Sequence, residues 1–308
     1  MDTAAPRAED AFARPLTAAL VSHAVWGSMP LYLMLVKDVP ALEYVAWRTL
    51  FTLPLCLVFV AAWRSGPELL EVLRNRRAML TLCASAALIA VNWFMYVWAI
   101  QQGHVYAASL GYYILPLTMM LFGLVFLGER LSRRQWAAVV IAAAGVSALA
   151  AGALMTLWLS LAMAVTFGLY GLIRKTVRAG SLVGLTVESI LLMPFATGLL
   201  VWLGTHGGGL AMGRDLGESL AIVMGGPMTA VPLMTFAYAA RALPYTVIGF
   251  LQFISPTIVF LLGLLVFAEE LRPAQLACFI AIWIAATIFI VDLLRGRRAI
   301  GQAPAQAR

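Results

Sequence analysis

Residues 116–135 read PLTMMLFGLVFLGERLSRRQ, and residues 256–275 read PTIVFLLGLLVFAEELRPAQ. Set over each other at an offset of 140, without a gap, they align Pro116 with Pro256, Gly123-Leu124 with Gly263-Leu264, Glu129 with Glu269, Leu131 with Leu271 and Gln135 with Gln275. The register continues upstream, where Pro54 falls on Pro194 and Ala90-Val91 on Ala230-Val231. A single offset kept over so much chain is the mark of a duplicated unit. Each copy holds five apolar spans, and an odd number brings the second copy into the membrane from the opposite side, which predicts an inverted repeat. The copies occupy 15–151 and 152–294, between polar tails at 1–14 and 295–308.

Hydrophobic residues make up 63% of the chain and charged residues 11%, with a mean hydropathy of +0.92. A soluble domain carries about 25% charge, so the solvent of this chain is membrane lipid. The predicted class is all-α and polytopic, with ten transmembrane spans at Leu16–Val36, Tyr44–Trp63, Ala78–Ile100, Val105–Leu127, Gln135–Ala151, Leu154–Ile173, Val183–Leu203, Leu220–Ala240, Tyr245–Phe267 and Ala274–Leu294. Most reach the roughly 20 residues that cross about 30 Å of hydrocarbon.

The net charge of +7 is sorted by loop and not gathered into a patch, which argues against nucleic acid. With the N-terminus inside, all of the 21 Lys and Arg residues except Lys37, Arg48, Arg214 and Arg272 fall on the cytoplasmic side. That is a strong positive-inside bias, and it places both termini in the cytoplasm. Cys56, Cys83 and Cys278 lie in apolar spans without paired spacing, so neither a disulfide framework nor a zinc site is implied. Trp47, Trp63, Trp98, Trp136, Trp158 and Trp202 stand near span ends, as interfacial anchors do. Ser132 to Gln135 fits a capping box before the fifth span, and Pro273 suits the first turn of the tenth. Small residues in those two spans, Gly145 and Ala281 among them, permit close helix contact in lipid.

Polar side chains inside a span cost roughly 2.5–3.5 kcal/mol for a central Arg or Asp, so each needs a reason. Arg48 in the second span and Glu188 in the seventh are equivalent under the 140 shift. Inversion sets them on opposite sides of the midplane, about 15 Å apart in depth, which excludes a direct ion pair. Two assignments remain open. In one, Arg48 attracts an anionic or polar substrate group and Glu188 takes part in proton or cation coupling. In the other, Arg48 snorkels to the outer interface and Glu188 pairs with Arg174, Lys175 or Arg178. Coupling predicts that Glu188→Gln alters the pH dependence of transport.

His23, Trp26 and Pro30 share one face of the first helix. Asn92, Trp93 and Tyr96 in the third span, Tyr112 and Pro116 in the fourth, and Gln252, Ser255 and Pro256 in the ninth form the densest polar and aromatic set. Tyr112 and Gln252 are repeat equivalents, and each is followed four residues later by a proline that frees a backbone carbonyl and allows a bend. The alternative for this set is ordinary hydrogen bonding between helices. Tyr170 extends the set to the sixth span. No cofactor is called for: there is no phosphate-binding glycine loop and no paired metal spacing. The run His206-Gly207-Gly208-Gly209 lies in a short outer loop without a nucleophile elbow, so no enzyme is indicated.

These residues carry a resemblance. The stretches 108–117 (ASLGYYILPL) and 128–130 (GER), then 170–175 (YGLIRK), 229–233 (TAVPL) and 249–257 (GFLQFISPT), with Asn92-Trp93 and Trp26-Gly27, make the chain similar to the RarD group in the EamA branch of the drug/metabolite transporter superfamily. The resemblance covers almost the whole chain. It implies a bacterial inner-membrane permease of ten helices, two inverted repeats around a central cavity, and export of a small metabolite or drug by alternating access. Two departures, Trp47 where the group often has His and Leu115 where Asn commonly precedes the proline, make the path less polar. A proton gradient or the solute's own gradient would drive it. The competing class is a membrane-embedded enzyme or lipid-handling protein, which needs clustered acidic or His residues at one interface.

Overall fold

The computed structural model describes residues 10–102, 104–206, 209–268 and 272–301. Glu269, Leu271, Gly207, Gly208 and most of the two tails, with Arg7 and Arg308, lie outside them. Among the described residues there is no strand, and the chain is a bundle of helices: α1 (Asp10–Leu33), α2 (Ala41–Ala62), α3 (Gly66–Arg74), α4 (Arg76–Gln101), α5 (Val105–Phe126), α6 (Arg133–Ala150), α7 (Leu157–Thr176), α8 (Ser181–His206), α9 (Leu216–Ala242), α10 (Tyr245–Leu251), α11 (Ile254–Leu265) and α12 (Pro273–Gly301). Nine helical stretches among these residues are long and apolar enough to cross a membrane. The expected fifth span, α6, falls short, because Arg133, Arg134 and Gln135 fill its first turn.

Several expectations need correction. The helix at the N-terminal end starts at Asp10, inside the stretch read as a tail, and α12 continues to Gly301, seven residues into the other. Between the second and third expected spans lies the short helix α3, which Pro67 and Glu68 open in its first turn. The ninth span is two helices. Pro256 has no N–H for the Gln252 carbonyl, which accepts instead from Ser255 N at 3.3 Å, and the chain turns at Gln252-Phe253. Pro116, its equivalent, sits inside an unbroken α5.

Other signals are met. Ser132 accepts from Gln135 N while the Gln135 side chain accepts from Ser132 N, a complete capping box. Pro273 is the first residue of α12. Along α6 and α12 the small residues meet so closely that a Cβ on Gly145 would stand 2.7 Å from Ala281 Cβ. After α5 the chain reverses at Gly128, with φ +63°, and after α11 at Ala268, with φ 52°. These residues are 140 apart, and only the first is the glycine that a left-handed turn favours.

The helices pack α5 on α7, α6 on α12, α2 on α8 and α9, α1 on α9 and α11, α4 on α7 and α8, and α10 on α5. At the end of the bundle that carries most of the basic residues, charged side chains bind neighbouring backbone. Glu129 accepts from Tyr245 N and from Thr246 N (2.8 Å), capping α10. Lys175 Nζ donates to Ala240 O (2.8 Å) and Leu243 O, Arg241 donates to Val177 O (2.7 Å), and Gly180 N donates to Glu68 (2.7 Å). At the opposite end, Ala211 N donates to Glu43 at 2.7 Å and Tyr32 to Ala221 O at 2.7 Å.

Candidate functional site

A narrow cavity of about 10 Å³ lies where α2, α4, α7, α8 and α9 meet, room for a single water molecule. Its lining follows the repeat offset: Thr49 with Ser189, Thr52 with Leu192, Ile89 with Thr229 and Trp93 with Leu233, each pair 140 apart. Tyr170 and Glu188 complete the polar wall. The Thr49, Thr52 and Thr229 hydroxyls donate back to Val45 O, Arg48 O and Gly225 O, so they turn acceptor lone pairs outward. A larger groove of about 570 Å³ along Arg76, Arg77, Leu80, Thr81 and Ala84 is wide open on the outer flank of α4 and encloses nothing.

Glu188 is fully buried and fully matched. Ser85 donates to its Oε1, Tyr170 to its Oε2 at 3.4 Å, and Arg174 Nε lies 3.8 Å from Oε1. The Arg174 guanidinium, itself buried, donates to Ser181 O at 2.8 Å. Gly184 makes room for it, since a Cβ there would fall on the guanidinium. This is the Arg174 pairing that the sequence offered as one alternative, joined by Ser85, which the sequence did not signal.

Arg48 has different surroundings. Its guanidinium carbon stands 4.1 Å from the centre of the Trp93 ring and 5.9 Å from that of Tyr44. Its Nε is buried with no hydrogen-bond partner, and so is the Tyr44 hydroxyl. Among the described residues the ion pairs are Arg134–Asp292 and Arg174–Glu188; Arg48 belongs to neither. Stacking on Trp93 returns about 1–2 kcal/mol, less than the roughly 2.5–3.5 kcal/mol that an intramembrane Arg costs. Tyr96 and Tyr112 stand beside it with ring centres 6.0 Å apart. Tyr112 keeps 38% of its surface exposed although it lies next to these groups.

The remaining expected site residues form a separate cluster or serve the scaffold. Trp26 meets His23, Phe167 and Phe236 at ring-centre distances of 5.7, 5.6 and 5.5 Å, and Phe167 continues to Tyr170 at 5.6 Å. His23 Nε2 is buried without a partner, while Ser255 donates to His23 O at 3.0 Å. Asn92 donates to Met163 O (2.8 Å) and Thr166 Oγ1 (3.0 Å), tying α4 to α7. Gln252 is buried at the break between α10 and α11, with Oε1 unpartnered. Thus Arg48, Trp93, Tyr96 and Tyr112 come together, Tyr170 joins Glu188, and His23 joins Trp26. Thr49, Thr52, Ser189 and Thr229 were missed. Threonine and serine are common in apolar helices; the 140 offset could have singled out Thr49 with Ser189, but Thr52 and Thr229 fall on Leu192 and Ile89 and carry no such signal.

Residues 14–151 match the family model described as the EamA-like transporter family. The chain is 40% identical to an uncharacterized transporter of Pseudomonas aeruginosa, over 92% of this chain and 95% of that one. It is 37% identical to the protein RarD of Streptomyces exfoliatus, over 90% of this chain and 88% of the relative. A solved crystal structure superposes with a TM-score of 0.73 at 18% identity, covering 91% of this chain and 98% of that one, which establishes a shared fold.

Proposed function

Because this chain belongs to the RarD group of the EamA-like transporter family and is a multi-pass bacterial membrane protein, we propose that it exports a small metabolite or drug across the inner membrane by alternating access. Two inverted five-helix repeats, 15–151 and 152–294, rock about the chamber at their interface. The observation that carries this is the chamber lining, in which eight of the eleven residues fall in pairs 140 apart. The packing supports it as well. Exchanging the repeats turns α1 on α9 into α7 on α4 and α5 on α7 into α11 on α1, and returns α2 on α8, α5 on α10 and α6 on α12 to themselves.

With both termini in the cytoplasm, the basic end is the inner one. There Glu129, Lys175, Arg241 and Glu68 tie the loops together, which supports a state closed to the cytoplasm. Drive comes from protons, with Glu188 as the coupling group, or from the solute's own gradient.

The test is water access to the chamber. Thr229→Cys, in a background with Cys56, Cys83 and Cys278 replaced by serine or alanine, is exposed to a small membrane-impermeant thiol reagent in right-side-out and in inverted vesicles. Alternating access expects labelling from both sides, each side blocked by locking the opposite state with a cross-link. Labelling from one side alone, or from neither, would falsify the proposal.

A further inference from the structure

Building on the transport role proposed above, we infer that the cargo is an organic monoanion with a planar apolar body, its negative group held by Arg48 and its body by the rings of Trp93, Tyr96 and Tyr112. The inference begins with charge balance. Every other described charge buried in the bundle is matched: Glu188 by Arg174 and Ser85, Lys175 by two carbonyls, Glu129 by two backbone N–H groups. Arg174 Nε also lacks a hydrogen bond but has the Glu188 carboxylate 3.8 Å away, whereas the orphaned Nε of Arg48 has an aromatic face beside it where an acid would be expected.

The groups facing it from α1, α2, α4 and α5 are the phenols of Tyr32, Tyr44, Tyr96 and Tyr112. None of them supplies negative charge at neutral pH. Glu43, the one acid on α2 itself, is turned to Ala211 N and Trp47 Nε1. A guanidinium whose flat face is taken by an indole keeps its in-plane N–H donors for a carboxylate or a similar oxyanion.

The surroundings then choose among anions. One guanidinium with no second cation in reach suits a single negative charge and leaves a phosphate dianion half matched. Tyr44, buried and with its hydroxyl unpartnered, adds a neutral donor beside the charge. Tyr112, exposed by 38%, and Tyr96 at right angles to it present ring surface to a flat apolar group. Among the described residues a cationic or zwitterionic cargo finds no free carboxylate here.

Purified protein in nanodiscs, titrated by calorimetry with benzoate and 2-naphthoate and with the uncharged benzamide and 2-naphthamide, tests this directly. The expected result is that each acid binds at least tenfold more tightly than its amide. Arg48→Gln should bring the ratio to near one while the protein unfolds at the same temperature as the parent. Equal binding of acid and amide, a ratio that survives Arg48→Gln, or no binding of either acid overturns the assignment. Thiol labelling of the chamber does not depend on cargo charge, so the transport proposal and the anion proposal can fail separately.

Discussion

The two halves of this chain place different chemistry on one backbone plan. At one position the first half carries Arg48 and the second Glu188. Glu188 is enclosed by Arg174, Ser85 and Tyr170, whereas Arg48 is left to Trp93 and four phenols. The same divergence appears in the backbone. Pro54 and Pro194 both sit within continuous helices, but Pro116 leaves α5 intact while the chain breaks before Pro256. Gly128 and Ala268 take the same left-handed turn with unequal ease. Across the 140 offset the path of the chain is kept more strictly than its side chains, as the proposed duplication would leave it.

That contrast can be broken from the structural side. Arg174→Ala strips Glu188 of its cation and leaves a buried charge unmatched, so thermal unfolding in detergent should show a loss of about 3–5 kcal/mol. Adding Glu188→Gln to the same chain should return most of it; failure to do so would mean the pair is not the unit that holds α7 to α8.

A smaller change tests the unequal turns. Ala268→Gly relieves a left-handed alanine, which costs about 1–2 kcal/mol, against the extra freedom of an unfolded glycine. The expected outcome is a net gain of about 1 kcal/mol, whereas Gly128→Ala should lose a similar amount. Equal and opposite shifts in the unfolding midpoint confirm that both copies need the same backbone.

The smallest stability effect is expected at Arg48, where the proposed cargo role predicts the largest functional one. Arg48→Leu breaks no ion pair and removes one ring contact, so stability should stay within about 1 kcal/mol of the parent. Solute movement in proteoliposomes should fall to background. A large loss of stability would make Arg48 a structural residue.

Much of this was legible in the residues. Composition fixes the membrane as solvent, and the stretches 116–135 and 256–275 share turn and cap signals at one offset, the observation from which the repeat is proposed. The Ser132 cap and Pro273 read correctly for a local reason: each acts on the backbone within three residues of itself. Arg48 and Glu188 could be singled out because charge in lipid is costly wherever it lies. What each of them touches could not be read. Ser85 lies 103 positions from Glu188, and Trp93 reaches Arg48 from another helix. Likewise α10 and α11 appear in sequence as one apolar span, since hydropathy averages over a break that a single missing N–H produces. Local bonding and the cost of burying polar groups are properties of residue types, so the sequence alone determined the spans, their signals and the misfit charges. Which charge is neutralised and which stays open depends on helices far apart in the chain meeting at one depth, and only the tertiary structure decided that.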